Sequence, residues 1–269
     1  MKKDKIIAPA ASLDLAKTFE CGQCFRWEAN ESGIYTGVAR SRVLHIRLEG
    51  NSILCDAPES DLPLWKSYLD LDTDYAPADA SFQSPDYLRD CAAFGKGIRI
   101  LRQEPWEALC SFIISQCNNI PRIKKIISTL CALCGEELED GVFAFPTPEA
   151  VAGLSEADLS PLRCGYRAPY IISAARAVCD GTINFDALSK APADEALAVI
   201  KTLPGVGNKV ASCFMLYGLH RMDRFPIDTW MKKALARHFP PDYDSAVLGD
   251  FAGLAQQYIF FYARTNEAW

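Results

Sequence analysis

Two glycines and a proline separate two helical patterns in the segment LPGVGNKVASC, residues 203–213. The pattern ADEALAVIKT runs directly into this segment, and a second helical pattern begins directly after it. The short connection predicts a helix–hairpin–helix, in which Gly205 and Gly207 allow positive φ and a close backbone approach. Free N–H groups at the start of the second helix favour an anion such as a phosphate. A plain packing corner between two helices is the alternative interpretation.

The composition is ordinary for a globular protein with a core of its own. The chain has 269 residues, of which 49% are apolar and 23% are charged, which allows one large domain or roughly two to three small ones. No apolar run approaches the ~20 residues that span a bilayer, and Pro9 and Asp14 interrupt the amino-terminal segment. We therefore expect neither a membrane span nor a signal peptide, and a location in the cytoplasm and nucleoid or, in a eukaryote, the nucleus.

Charge is distributed unevenly along the chain. The formal net charge is −6, yet residues 201–240 contain seven Lys and Arg against two Asp. Residues 96–125 contain six Lys and Arg against two Glu. This asymmetry suggests a basic face on an acidic body, a pattern found in proteins that bind nucleic acid. A solvated charged surface is the alternative.

The eleven cysteines do not predict a disulfide framework, because their number is odd and most lie in apolar stretches such as ALCSFII and TLCALCG. The pairs Cys21/Cys24 and Cys131/Cys134 have the C-x-x-C spacing of zinc and redox sites. Neither pair is matched by a nearby Cys or His pair, as a zinc site would require. We expect these cysteines to be packing residues.

Short segments with close turns predict an antiparallel sheet over residues 1–86. In RVLHIRL, Leu44, Ile46 and Leu48 share one face, and His45 lies on the other, where we expect a solvent-side residue rather than a ligand. A stretch rich in Pro and Asp, LDTDYAPADASFQSPDY, marks the boundary. The predicted class is α+β, with an antiparallel sheet domain followed by a helical one.

Residues 87–269 are predicted to be almost entirely helical. Prolines at first-turn positions and glycines after the last turn delimit several of the helices, for example Pro121 and Gly135. Besides the second hairpin helix, the predicted helices are EPWEALCSFIISQ, PRIKKIISTLCALCG, RAPYIISAARAVCDG, ADEALAVIKT, TWMKKALARHF and FAGLAQQYIFFYAR.

Lys209 lies in the first turn after the hairpin, where the helix dipole disfavours a cation. Cys213 follows one turn later, beside an apolar stripe that includes Tyr217. Desolvation at the edge of an apolar cleft favours the neutral amine, which is nucleophilic. Asp228, in FPIDTW, precedes a helical pattern and can cap it, and a carboxylate there can accept a proton or stabilise positive charge. A phosphate-binding lysine and an ordinary N-cap aspartate are the alternatives.

Taken together, LPGVGNKVASC and FPIDTW resemble the helix–hairpin–helix, Gly/Pro–Asp superfamily of base excision DNA glycosylases, and within it the 8-oxoguanine DNA glycosylase/lyases. GQCFRW at 22–27 is similar to the family's G-Q-x-F-R-W. SFIISQCNNIPRI at 111–123 resembles the strand-separating segment, and CGYRAPYI at 164–171 the G-Y-R-A segment beside the opposite base. The resemblance runs from about residue 10 to the carboxyl end. It implies a sheet domain (1–86) and a helical glycosylase domain (87–269) whose two subdomains flank the active-site cleft.

The resemblance implies a bifunctional DNA glycosylase and AP lyase acting on duplex DNA that contains oxidised guanine. The damaged nucleotide would be flipped out, and the Lys209 amine would attack C1′ and displace the base. Asp228 would stabilise the oxocarbenium character of the sugar, and the resulting Schiff base would allow β-elimination. Neither a redox cofactor nor a catalytic metal is needed, and we expect a monomer without membrane contact.

The family's pattern also assigns the lesion-binding residues. Gly22 offers its carbonyl to the N7–H that only the oxidised guanine possesses, whereas N7 of normal guanine is an acceptor and repels it. Gln256 and Phe260 match the residues that bind the Watson–Crick edge and stack on the base. Cys213 matches the residue on the opposite ring face, and Tyr217 stands where eukaryotic members have methionine.

The opposite-base segment departs from the pattern of eukaryotic members. Cys117 replaces the first asparagine of their triplet, ahead of Asn118, so we expect relaxed choice of the base opposite the lesion. Arg122 and Arg167 match the two arginines that read the opposite cytosine, which implies that some preference survives. The resemblance assigns further DNA contacts to Tyr166, Gly205, Gly207, Val210 and Trp230, and a Na⁺ or K⁺ ion to the carbonyls of Lys201, Leu203 and Val206.

Three rival functions would explain parts of this pattern. An iron–sulfur relative would carry four clustered cysteines after the Asp helix, and no cysteine follows Cys213, so that cluster is excluded. A monofunctional alkylated-base glycosylase shares the fold and the aspartate but lacks the hairpin lysine. A non-catalytic, damage-binding DNA scaffold would explain the basic segments but gives Asp228 and GQCFRW no role.

Overall fold

The computed structural model describes residues 4–267. Its amino-terminal part is an antiparallel sheet of β1 (Lys5–Pro9), β2 (Trp27–Ala29), β3 (Tyr35–Ala39), β4 (Arg42–Glu49) and β5 (Ser52–Cys55). The strand order is β1-β5-β4-β3-β2, so the last four form a meander and β1 pairs at the edge with β5. The predicted antiparallel sheet is confirmed.

The sequence did not predict β1 or the helix α1 (Leu15–Glu20) that follows it. In β1, Ile7 and Ala8 are both buried while Ile6 is 65% exposed, because the register shifts between Ile6 and Ala8. Such an irregularity breaks the alternation by which a strand is recognised in a sequence.

Aromatic side chains form the core beneath this sheet. Phe19 of α1 stacks on Trp27, with ring centroids 4.0 Å apart. The Trp27 indole N–H donates to the hydroxyl of Tyr68, at the end of α2 (Leu62–Tyr68), at 3.0 Å. Gly37 lies directly opposite Trp27 on β3, and a Cβ there would lie 2.2 Å from the indole. Only glycine leaves room for the tryptophan at this register.

Helices dominate the rest of the described chain. Their bounds are α3 (Ala76–Ser81), α4 (Asp86–Gly95), α5 (Pro105–Ile114), α6 (Ile120–Cys134), α7 (Pro148–Ala152), α8 (Arg167–Cys179), α9 (Phe185–Lys190), α10 (Ala193–Ile200), α11 (Asn208–Tyr217), α12 (Thr229–His238) and α13 (Ala252–Asn266). Every helix predicted from the sequence is present among them. None of the helices within residues 4–267 is long and apolar enough to cross a membrane.

A short hairpin of β6 (Glu137–Glu139) and β7 (Val142–Phe143) interrupts the region predicted to be almost entirely helical. Its turn contains Gly141 with φ of +73°. The Arg26 guanidinium donates to the Phe143 carbonyl and so ties this hairpin to the amino-terminal part. Strands of two or three residues are too short to show a periodic pattern.

Two hydrophobic cores share the segment around residues 20–25. Cys21 and Phe25 pack in the large helical core, whereas Cys24 packs in the smaller core under the sheet. Gln23 lies between them, fully buried, and its amide donates to the carbonyls of Thr18 and Arg99. Its Oε1 accepts from the Leu101 N–H at 2.9 Å. Both the amide N–H group and the carbonyl of this side chain thus help to fix the segment that carries Gly22. The domain division at residue 86 stays a prediction.

Candidate active site

An open cleft of about 640 Å³ lies at the meeting point of five segments. These are residues 20–25, the connection from α5 to α6, the first turns of α11 and α12, and one face of α13. A smaller hollow of about 40 Å³, here called the inner cavity, adjoins it. Lys209 and Asp228 line both spaces, so the predicted amine and carboxylate both border the place where the cleft and the inner cavity join. The inner cavity is lined by Gly22, Phe112, Lys209, Cys213, Tyr217, Pro226, Asp228, Gln256, Gln257 and Phe260.

The hairpin uses its two glycines differently. Gly205 has φ of +76°, and a Cβ there would lie 2.2 Å from the ring of Tyr170. Gly207 is the N-cap of α11 with φ of −91° and has nothing within 4 Å of its Cβ position. The expectation of positive φ at both glycines is therefore wrong for Gly207, whose backbone is extended. Its missing side chain instead leaves open the space beside the helix N-terminus.

Lys209 extends from the first turn of α11 into the cleft. Its Nζ donates to Ser115 Oγ at 2.9 Å and lies 5.3 Å from the ring centroid of Phe112. Both partners belong to the carboxyl end of α5. The amine is thus held against an aromatic ring on the cleft wall rather than extended into solvent.

Asp228 is the N-cap of α12. Its Oδ1 accepts from the Met231 N–H at 2.8 Å, which confirms the predicted cap. Within residues 4–267 no side chain and no backbone N–H donates a hydrogen bond to its second carboxylate oxygen. The capping bond therefore fixes the carboxyl group while one oxygen remains for the cleft.

Hydrogen bonds of Tyr217 hold the deep wall of the inner cavity. Its hydroxyl lies 2.6 Å from Gln257 Oε1 and 3.2 Å from Gln256 Oε1. Gln257 in turn donates from Nε2 to the Cys21 carbonyl at 3.0 Å. Burial raises the pKa of Tyr217 well above its usual value, so this hydroxyl keeps its proton. The tyrosine ring stacks on Phe112, with centroids 5.1 Å apart.

Cys213 forms part of the same wall. Burial raises the pKa of its thiol to about 11, although the nearby Lys209 acts in the opposite direction. The thiol is therefore neutral at physiological pH, and it offers a small, polarisable surface to whatever enters the inner cavity.

Gly22 borders both the cleft and the inner cavity. It has φ of +90°, and a Cβ would lie 3.2 Å from both Ile120 Cδ1 and Phe260 Cε1. The carbonyls on either side accept hydrogen bonds, that of Cys21 from Gln257 and that of Gln23 from Gln103. The described residues supply no such donor to the Gly22 carbonyl itself. One acceptor in a well-bonded segment is thus left for a ligand.

The predicted opposite-base residues form an outer rim, here defined as residues 116–122 together with 163–167. Cys117 is exposed, with φ of +51°. Asn118 donates to the Ile114 carbonyl at 2.8 Å, and the exposed Arg122 donates to the Arg163 carbonyl at 3.2 Å. Of the predicted DNA-contacting residues, Asn118 and Trp230 line the cleft. Val210 is buried in α11.

Arg167 is a buried member of this rim. It is 5% exposed, and its guanidinium donates to the carbonyls of Cys164 and Gln116. It also donates to the Tyr166 hydroxyl at 3.1 Å and lies 4.3 Å from the centre of that ring, whose residue is 52% exposed. The structure thus places Arg167 as a support for Tyr166, while its role towards a base stays a prediction.

The hairpin carbonyls assigned to an ion belong to the turn before α11. The Leu203 carbonyl already accepts from the Val206 N–H at 3.1 Å, and Lys201 is exposed at the end of α10. The ion stays a prediction. Within residues 4–267 no group of three or more His, Cys, Asp and Glu side chains could hold a metal, and the cysteines are free thiols.

Part of the predicted basic face is not on the surface. Arg99 is buried and donates to the carbonyls of Asp70 and Thr73, and Arg102 pairs with the Asp70 carboxylate at 2.8 Å. Burial favours a higher pKa for Asp70, but hydrogen bonds from partners that include His220 outweigh it and lower the pKa to about 2. The prediction of a surface position is therefore wrong for Arg99, whereas the side chain of Arg102 is 41% exposed.

The residues that sequence reasoning missed at the site include four polar or charged side chains. Ser115 and Gln257 fix Lys209 and the inner cavity, and Lys124 and Arg264 line the cleft. Arg264 lies 5.7 Å from the centre of Phe260 on the same face of α13. Helical spacing of Gln256, Phe260 and Arg264 could have indicated the last of these. Nothing in the sequence pattern could have indicated the others.

The hairpin presents the Lys209 amine and the start of α12 presents the Asp228 carboxylate to one cleft, an arrangement that fits a helix–hairpin–helix protein of the DNA repair class. The model of the 8-oxoguanine DNA glycosylase N-terminal domain matches residues 5–109. The model of the HhH-GPD superfamily base excision DNA repair proteins matches residues 110–247. The chain belongs to this family, as an 8-oxoguanine DNA glycosylase-type member of the HhH-GPD superfamily.

Relatives agree over nearly the whole chain. N-glycosylase/DNA lyase OGG1 of Arabidopsis thaliana is 29% identical over 92% of this chain and 76% of its own length. The N-glycosylase/DNA lyase of Saccharomyces cerevisiae is 30% identical over 88% and 71%. The 8-oxoguanine glycosylase/lyase of Clostridium acetobutylicum, solved with DNA containing cytosine opposite 8-oxoguanine, is 35% identical, covers 96% and 94% of the two chains and has a TM-score of 0.89. The protein is thus an enzyme of the N-glycosylase/DNA lyase class.

Proposed function

We propose that this enzyme removes 8-oxoguanine from duplex DNA and then cleaves the strand, with the Lys209 amine as nucleophile. The observation that carries the proposal is the position of Lys209 and Asp228 where the open cleft joins the inner cavity. An extruded nucleotide would place its base in the inner cavity and its sugar at this junction. The names of the relatives support the same chemistry.

The proposed reaction exchanges one bond at C1′ for another. The amine of Lys209 forms a bond to C1′ while the glycosidic bond breaks. The electron pair of the glycosidic bond leaves with the base, which takes up a proton. The carboxylate of Asp228 stabilises the positive charge that develops on the sugar. Loss of a proton from nitrogen and opening of the sugar ring then give a Schiff base. Removal of a proton from C2′ expels the 3′ phosphate, and no step requires a metal or redox cofactor.

Recognition of the lesion is proposed to depend on the Gly22 carbonyl. In the oxidised base N7 carries a hydrogen, which this carbonyl accepts. Normal guanine would place an acceptor against it and leave a desolvated carbonyl without a donor, which costs about 1–3 kcal/mol. Gln256 would bind the Watson–Crick edge, and Phe260 and the neutral thiol of Cys213 would pack on the two ring faces.

We propose that the hairpin and the outer rim bind the DNA duplex. The N–H groups at the start of α11 would bind a phosphate, helped by a Na⁺ or K⁺ ion at the preceding carbonyls. Because Cys117 replaces an asparagine and Arg167 is tied to carbonyls of the protein, we propose relaxed choice of the opposite base. We also propose that the enzyme acts as a monomer inside the cell.

Borohydride trapping tests the nucleophile. The wild-type enzyme, Lys209→Gln and Lys124→Gln are each incubated with a duplex that holds one 8-oxoguanine, and the covalent adduct is measured. Lys124 also lines the cleft, but its Nζ donates to the Trp27 carbonyl, so Lys124→Gln is a matched control. We expect an adduct with the wild type and Lys124→Gln and none with Lys209→Gln.

Each other outcome would indicate a different nucleophile or a different function. An adduct that survives Lys209→Gln and disappears in Lys124→Gln would mean that the wrong lysine was chosen. Base release without any adduct would indicate a monofunctional glycosylase. Tight lesion binding without base release would indicate a damage-binding scaffold.

A further inference from the structure

Ser115 connects the Lys209 amine to the backbone of α5. Lys209 Nζ donates to Ser115 Oγ at 2.9 Å, and Ser115 Oγ donates to the Phe112 carbonyl at 2.8 Å. The serine is 9% exposed, so water has little access to replace it. The same turn of α5 supplies the Phe112 ring, 5.3 Å from the amine.

The direction of these bonds determines what Ser115 can do. A hydroxyl has a single proton, and here that proton is committed to the Phe112 carbonyl. Ser115 Oγ therefore meets the amine only as an acceptor. A hydroxyl that donates to a carbonyl is also a better acceptor, because neighbouring hydrogen bonds polarise one another.

We propose that Ser115 is a positioning residue for the nucleophile. It holds one N–H of Lys209 so that the nitrogen lone pair is directed to the sugar, and it accepts a stronger hydrogen bond once the nitrogen becomes positively charged on attack. An interaction that strengthens as the reaction proceeds accelerates the chemical step rather than binding. The role of Ser115 rests on the proposed attack by Lys209.

Ser115→Ala tests this role, with Ser111→Ala as the matched control. Ser111 lies one turn earlier on α5, is 3% exposed and makes no side-chain hydrogen bond within the described residues. We expect Ser115→Ala to lower the single-turnover rate of excision by roughly 10- to 100-fold, the effect of losing one charge-assisted hydrogen bond. Its Kd for lesion DNA should stay within about twofold of the wild type, and Ser111→Ala should change neither quantity.

Trapping on a preformed abasic site separates positioning of the amine from distortion of the inner cavity. This substrate needs the amine but has no base to bind. Ser115→Ala should lower its trapping rate by a factor similar to that for excision, and Ser115→Thr, which keeps the hydroxyl, should recover most of both rates. Thermal unfolding of each variant shows whether it is folded.

Wild-type rates in Ser115→Ala, or a loss confined to the 8-oxoguanine substrate, would overturn the inference. A rise in Kd equal to the loss of rate would do the same, because it would assign Ser115 a structural role only. If the wild type itself forms no adduct, the proposed nucleophile fails instead. The two failures are thus distinguished within one set of measurements.

Discussion

The inner cavity and the outer rim differ in how fully their polar groups are committed. In the inner cavity Tyr217, Gln257 and the Cys21 carbonyl form a continuous buried network. At the rim Cys117 and Arg122 are exposed, and Asn118 and Arg122 each donate one hydrogen bond to a backbone carbonyl. A binding surface whose groups are already fixed loses little entropy when a ligand arrives. This difference supports the proposal that the enzyme selects the lesion strictly and the base opposite it loosely.

The hairpin has one glycine in crowded surroundings, Gly205, and one in open surroundings, Gly207. A substitution at the crowded glycine has the largest effect that we expect. Gly205→Ala would place a Cβ 2.2 Å from the Tyr170 ring at φ of +76°. We expect it to lower the free energy of unfolding by about 3 kcal/mol or more, from backbone strain and overpacking together. Thermal unfolding measures this loss.

Gly207→Ala is the matched control on the open side of the hairpin. Its Cβ would have no neighbour within 4 Å and its φ is −91°, so stability should change by less than about 1 kcal/mol. Its affinity for DNA should fall, because the methyl group occupies the approach to the helix N-terminus. Equal losses of stability in the two variants would contradict the distinction between the glycines.

A second pair of variants compares a tyrosine of the inner cavity with a tyrosine of the outer rim. Tyr217→Phe removes the hydroxyl that lies between Gln256 and Gln257 and leaves the buried Gln257 amide oxygen without its donor. We expect a loss of about 1–3 kcal/mol in the free energy of unfolding, together with slower excision. Tyr166→Phe, at the exposed rim, should stay within about 0.5 kcal/mol. Urea unfolding of both proteins measures the difference, and similar losses would mean that the inner network contributes nothing special.

The sequence could predict features that depend on neighbours along the chain, but not features that depend on contacts between distant residues. Local signals gave the helices and the role of Asp228 as an N-cap, because such signals depend on neighbours along the chain. Ser115 could not be found in this way, since its partner Lys209 is 94 residues distant. Arg99 was misassigned to a basic face because a charge count does not reveal that it is buried and donates to the Asp70 carbonyl.

The resemblance carried most of the site prediction. Without it Cys213 and Phe260 would have been assigned to the core and Gln256 to the surface, because an apolar residue in a helical pattern is usually core. Their common position around the inner cavity depends on α11 packing beside α13, which no local pattern specifies. The edge strand β1 was missed for a different reason, the register shift that breaks its alternation.

The smallest expected effect concerns Cys117 at the rim. We expect the wild type to excise 8-oxoguanine opposite C, A, G and T at rates within about tenfold of one another; differences of several orders of magnitude would refute relaxed choice. Cys117→Asn restores the side chain that eukaryotic members carry and should raise the preference for cytosine a few-fold, which is well under 1.4 kcal/mol. The backbone favours this substitution, because Cys117 has φ of +51° and asparagine tolerates that region better than cysteine. Stability should therefore stay equal or rise by a few tenths of a kcal/mol, so that any change in opposite-base preference belongs to the side chain and not to the fold of the rim.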